Sequence, residues 1–183
     1  MALVEITERD FGVAIDIVYA TPRNFTGKPV YARAGCYLHP DAAAALTRAV
    51  ALATPLGLRL RIFDAFRPSE AQFALWAHTP DPDFLADPRS GSPHSRGVAV
   101  DLTLMDAAGR DIDMGTAFDA FTPDSHHGSR AVPADAQRNR HLLLGLMTAA
   151  GWDFYRNEWW HYQLFRPRAY PVLGDGALDR SMM

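Results

Sequence analysis

A histidine and an aspartate stand seven residues apart in the stretch Ser92 to Leu104, and much further on Glu158 precedes His161 by three. Imidazole nitrogens and carboxylate oxygens are donors that zinc accepts. Two histidines with one aspartate would leave the ion a net charge of about +1 and a fourth position open, which is a catalytic pattern rather than a structural one. His94, Asp101 and His161 make that set. Zinc lowers the pKa of water to about 7, and a carboxylate outside the ligand set can take the proton as the water attacks a carbonyl. Glu158 is the candidate for that base. Arg67, between a predicted strand and Pro68, is placed for its guanidinium to stabilise the oxyanion formed in such an attack. The bland alternatives are a surface loop holding an ordinary histidine, a strand with one exposed aspartate, and a surface arginine paired with Asp64.

The surrounding elements must bring these distant groups together. Val98, Val100, Leu102 and Leu104 alternate with Gly97, Ala99, Asp101 and Thr103, which predicts a half-buried strand whose second face carries the carboxylate among small neighbours. Seven extended residues span roughly 23 Å, so His94 must fold back over the strand. Pro93 before it and Gly97 after it suit such a turn. Leu58 to Phe63 predicts a strand feeding Asp64 to Pro68, and Ser69 to Ala77 resumes helical spacing. Residues 78–93 are a loop rich in Pro, Asp, Gly and Ser. Asp106 to Gly109 predicts a hairpin turn returning through Arg110 to Met114, and 115–133 is irregular. Residues 134–150 form the clearest helix, stopped at Gly151. Two strands follow, 152–155 and 159–165, with Glu158 in the turn between them and His161 beside Gln163. Nearer the N-terminus, alternation predicts a strand over 11–19, a loop over 21–29 and a helix from Pro40 to about Pro55, with Gly57 just beyond. Residues 167–183 predict a surface wrap and a frayed tail.

Composition bounds the class of protein. At 183 residues and 48% hydrophobic, one domain over 1–183 with a real core is the expectation. A net charge of −3 with mixed signs gives no field to draw nucleic acid or anionic lipid, so neither partner is expected. Cys36 is alone and predicts a buried small residue rather than a disulfide or a thiol nucleophile. The first ten residues lack a basic start and a signal-length apolar run, and no stretch approaches a membrane span. A cytoplasmic protein is expected, its oligomeric state left open. His39, His78 and His141 are expected at the surface, His126 and His127 in a polar loop as a remote substitute for a ligand, and Trp159 and Trp160 as core and pocket wall.

The residues carry a resemblance. Ser92-x-His94-x-x-Gly97-x-Ala99-x-Asp101, followed by Glu158-x-x-His161, resembles the zinc D-alanyl-D-alanine dipeptidases of the VanX type, within the D,D-peptidase and hedgehog-like fold. Tyr19-Ala20-Thr21, Asn24 to Gly27, Asp64 to Pro68, Met114-Gly115, Phe118-Asp119 and Ser125-His126-His127 extend it over residues 16–165. The resemblance implies a single α+β domain, with helices flanking an antiparallel sheet that carries one zinc. It implies hydrolysis of a small D,D-dipeptide, in cell-wall metabolism or vancomycin resistance. It assigns His94, Asp101 and His161 to the metal, Glu158 to general base and acid, and Arg67 to the transition state. Asp119, Ser92, Tyr19 and Tyr31 are implied near the substrate. A carboxypeptidase or endopeptidase acting on peptidoglycan, or a zinc-stabilised binding module without hydrolysis, stays open beside it. The chain departs from the family in a shorter connection between Arg67 and His94, which bears on the pocket rim.

Overall fold

The computed structural model describes residues 2–183; Met1, the first residue of the N-terminal stretch read above, lies outside the described residues. In chain order the elements are β1 (Val4–Glu5), α1 (Glu8–Phe11), β2 (Ala14–Ile15), β3 (Tyr37–Leu38), α2 (Pro40–Ala53), β4 (Arg59–Asp64), α3 (Ser69–His78), β5 (Ala99–Met105), α4 (Ala134–Ala149), β6 (Trp152–Phe154) and β7 (His161–Leu164). The fold is α+β. Its main sheet runs β2-β4-β5-β7-β6, antiparallel throughout except where β2 joins β4 in parallel, and β1 pairs with β3 in a separate ribbon.

β5 is the centre of that sheet, and all seven of its residues are buried. The alternation predicted a half-buried strand, and the structure covers both of its faces. Helices α2 and α4 pack on each other and on β4 and β6, burying the Val100, Leu102 and Leu104 side, while irregular segments close over the Asp101 side. Strand pairing then does the positioning. Asp101 lies opposite His161 on β7 and opposite Asp64 on β4. The register of β4 shifts between Ile62 and Asp64, a bulge that re-aims Asp64 toward the side where Asp101 stands.

Several expectations need correction. Over 11–19 only Ala14 and Ile15 form a strand. After Asp16 donates its N–H to the Ile62 carbonyl at 2.9 Å the chain leaves the sheet edge, and Val18 to Ala20 wind into a 3-10 turn that buries Ile17, Val18 and Tyr19 consecutively, which a strand cannot do on one face. The return after the Asp106–Gly109 turn keeps a single bridge, Met105 to Asp111. His39 is buried, with Nδ1 accepting from the Asp41 N–H at the start of α2, a helix-capping use that its position beside Pro40 left unread. The tail is anchored rather than frayed: Met182 is fully buried and its carbonyl accepts from the Ala32 and Arg33 N–H groups. Leu173 donates to the Ser95 carbonyl at 2.7 Å, tying the tail to the histidine turn.

Candidate active site

His94 opens a 3-10 turn that ends at Gly97 in the left-handed region, φ +68°. A Cβ there would sit 2.7 Å from Leu3 Cδ2 and 3.1 Å from the His39 backbone nitrogen, so glycine is demanded both by conformation and by space. The turn folds the histidine over β5, and the His94 and His161 ring centroids lie 4.9 Å apart. His94 Nε2, His161 Nδ1 and Asp101 Oδ1 form a buried triangle with sides of 3.1, 3.0 and 3.3 Å. Tetrahedral ligands with bonds of 2.0–2.1 Å would be separated by about 3.3 Å, so the triangle has the size a small divalent ion needs.

The partners of the outer nitrogens decide what these atoms offer. His94 Nδ1 lies 2.7 Å from the Ala65 carbonyl, an acceptor only, and so carries the proton it donates there. His161 Nε2 lies 3.1 Å from Gln163 Oε1 and donates in the same way. In the neutral rings the inner nitrogens are then bare lone pairs pointed at each other and at a carboxylate. Against the effect of burial, Asp101 is held far below the usual carboxylate range by the charge that His94 carries when protonated and by the hydrogen bonds that the two rings then donate to it; with both rings neutral, the three converging atoms are all acceptors. A buried convergence of three acceptors is unfavourable without a cation, and these residues can hold one.

Around the triangle the remaining groups line one cavity. Arg67 is buried, its Nε and Nη2 donating to Asp64 Oδ2 at 2.9 and 2.8 Å and its Nη1 to Gln72 Oε1 at 3.0 Å. Its guanidinium stands 4.8 Å above the Tyr19 ring and 3.5 Å from Asp101 Oδ2. It pairs with Asp64, yet it is not at the surface. Glu158 is buried at the end of the turn before β7, with Oε2 3.9 Å from His161 Nδ1. Burial first, then the Asp101 and Asp119 carboxylates, push its pKa well above the ordinary range. Asp119 adopts φ +58°, and its buried Oδ2 has no hydrogen-bond partner. Burial and the Asp101 charge raise its pKa to about 8. Ser92 lines the cavity and its Oγ accepts from the His94 N–H.

Tyr31, expected near substrate, instead stands behind the cavity wall and donates to Asp64 Oδ1 at 2.9 Å. His126 and His127 do not join the metal-binding cluster. The groups that orient the site are the ones sequence reasoning passed over: the Ala65 carbonyl, Gln163 and Gln72. Gln163 shares a strand face with His161 and was findable on that ground; Gln72 and a main-chain carbonyl carry no comparable signal. Gln72 also donates to the Ala86 carbonyl at 2.7 Å, joining Arg67 to the 78–93 rim.

A buried pair of imidazoles with one carboxylate, an acid beside them and a cation across from them define a metallopeptidase site on an α+β scaffold. A family model described as "D-ala-D-ala dipeptidase" matches residues 2–171. The chain belongs to this M15 peptidase family. The D-alanyl-D-alanine dipeptidase of Escherichia coli (strain K12) is 46% identical over 161 residues, 88% of this chain and 83% of that one. Those of Streptomyces coelicolor and Enterococcus faecium are 38% and 35% identical, spanning 84% and 87% of this chain and 86% and 89% of their own.

Proposed function

We infer that this chain hydrolyses the free dipeptide D-alanyl-D-alanine to two D-alanines, with one zinc held by His94 Nε2, Asp101 Oδ1 and His161 Nδ1. The observation that supports this most is the buried triangle of His94 Nε2, His161 Nδ1 and Asp101 Oδ1, whose sides of 3.1, 3.0 and 3.3 Å suit one small divalent ion. When bound, zinc supplies Lewis acidity to water and to the scissile carbonyl. Glu158 takes the proton of the attacking water, for which its raised affinity suits it, and passes it to the departing amine. Arg67, immobilised by Asp64 and Gln72, faces the oxyanion with its orientation already fixed.

Asp119 receives the substrate's ammonium group, which needs an anion once it leaves water, and the arriving cation in turn favours the ionised carboxylate against the burial that raises its pKa. Ser92 and Tyr19 border the same space. The cavity of about 230 Å³ falls below the roughly 300–1,000 Å³ of pockets for drug-sized ligands, as a dipeptide requires. We read the chain as one cytoplasmic domain, with its use in wall turnover or in vancomycin resistance resting on the same reaction. No helix among the described residues is long and apolar enough to cross a membrane.

The test is a substrate panel with zinc-loaded protein: D-Ala-D-Ala, its L,L and L,D isomers, and an N-acylated tripeptide ending in D-Ala-D-Ala. Preferential cleavage of the free D,D-dipeptide is expected. Preference for the acylated tripeptide would make the chain a carboxypeptidase of peptidoglycan stems. Zinc at one equivalent with no cleavage of any member would make it a binding module.

A further inference from the structure

Arg140 on α4 is among the largest fully buried side chains of the protein. Burying a guanidinium is costly unless its donors are met, and here its hydrogen bonds go to uncharged oxygens rather than to a carboxylate. Nε donates to the Met114 carbonyl at 2.6 Å, Nη1 to the carbonyls of Asp124 and His126 at 2.7 and 3.2 Å, and Nη2 to Thr116 Oγ1 at 3.4 Å. All four acceptors belong to residues 114–126. One guanidinium therefore joins the two ends of the loop that carries Asp119 between them.

That loop holds a strained residue. Asp119 lies in the left-handed region, which non-glycine side chains rarely adopt, and its free Oδ2 is buried. Such a conformation persists only where its surroundings over-determine it. The base pinned by Arg140 extends to the catalytic turn: Thr116 Oγ1 accepts from Trp159 Nε1 at 2.9 Å, and Trp159 donates its N–H to the Ser125 carbonyl at 3.0 Å. Glu158 is the residue before that tryptophan.

We propose that Arg140 is a positioning residue for substrate recognition, closing the base of the 114–126 loop so that Asp119 presents its unpartnered oxygen to the substrate's amino group. The proposal rests on the ammonium reading of Asp119 given above. Because its acceptors are neutral, Arg140 shapes the loop without pairing with the carboxylate that the substrate needs.

The test uses zinc-loaded wild type, Arg140→Lys, Arg140→Ala and Asp119→Asn, each checked for zinc content and circular dichroism. Two substrates are compared: D-Ala-D-Ala and propanoyl-D-alanine, which lacks only the amino group. Arg140→Lys keeps a buried cation but offers fewer and differently directed donors. It should raise KM for D-Ala-D-Ala at least about tenfold, the cost of losing one or two charge-assisted bonds, leave KM for propanoyl-D-alanine unchanged, and lower kcat far less. If Arg140→Ala folds, millimolar guanidinium should restore its KM, and failure of that rescue would count against the proposal; if it does not fold, Arg140→Lys decides. Equal losses on both substrates with unaltered KM would mean that Arg140 merely supports the fold, and would overturn the proposal. If Asp119→Asn weakens D-Ala-D-Ala selectively while Arg140→Lys does not, the Asp119 reading stands and the Arg140 proposal fails. If Asp119→Asn leaves KM and the discrimination intact, both fail together.

Discussion

His94 Nε2 and His161 Nδ1 face each other across 3.1 Å, and in the neutral rings neither carries a proton to share. Each ring spends its N–H outward, on the Ala65 carbonyl and on Gln163 Oε1, so the contact between them is lone pair to lone pair beside a carboxylate oxygen.

Metal should therefore stabilise the fold as well as serve the reaction. At free zinc about 100 times its dissociation constant the linkage contributes about 2.7 kcal/mol, or about 5–10 °C for a chain of this size. Thermal melts of chelator-treated protein with and without added zinc measure this. Gln163→Ala, which frees the His161 ring to turn, should weaken zinc binding about 10–100-fold in a competition titration.

Glu158→Gln keeps the shape of the buried side chain and removes its basicity. Zinc content should stay at the wild-type level while kcat for D-Ala-D-Ala falls about 10²–10⁴-fold. Activity retained within a few-fold would take Glu158 out of the proton-transfer role.

Arg67 and Asp64 form a buried pair, so the two simplest substitutions should behave differently. Arg67→Ala leaves Asp64 uncompensated and should cost about 3–5 kcal/mol of stability, visible in urea unfolding. Arg67→Lys keeps the charge but not the fork that reaches Asp64 and Gln72 together. It should fold, hold zinc, and lose about 10²–10³ in kcat with KM little changed.

His127 supplies a pH dependence apart from the site. Burial, with the Arg140 charge second, lowers its pKa from 6.5 to about 4. The folded value lies below the unfolded one, so between these pH values the unfolded chain binds the proton more readily and stability falls as the pH is lowered. The contribution is complete above pH 6.5 and is lost toward pH 4, up to about 3 kcal/mol at 1.36 kcal/mol per unit. Urea midpoints at pH 7.5, 6 and 5 should drop more steeply for wild type than for His127→Phe; parallel slopes would contradict this.

Much of this architecture can be read from local chemistry. Pro40 and Asp41 open α2, and Gly57 and Gly151 lie beyond helical segments that the structure carries close to them. The alternation around Asp101 marks β5, and Pro93 and Gly97 mark the turn that carries His94. What escaped has a tertiary origin. Two-residue periodicity through Ile17 continues the strand pattern where the chain has already run out of sheet to pair with. Met182 anchors the tail through contacts with residues 32 and 33, some 150 positions earlier, which no local window contains. The β4 bulge and the Ala65 carbonyl are features of the backbone, and residue identity does not announce them. Tyr31 shows the same limit in reverse, since an aromatic in a loop can serve a wall or the layer behind it, and here it holds Asp64.

One metal held by three side chains and used in hydrolysis is the centre of the proposed mechanism. Titrating chelator-treated protein with zinc while following release of D-alanine from D-Ala-D-Ala tests it most directly. Activity should be absent without metal, rise linearly and saturate at one equivalent, and the same titration of His161→Ala should stay flat. Full activity in the metal-free protein, or saturation of His161→Ala at the wild-type stoichiometry and rate, would contradict it.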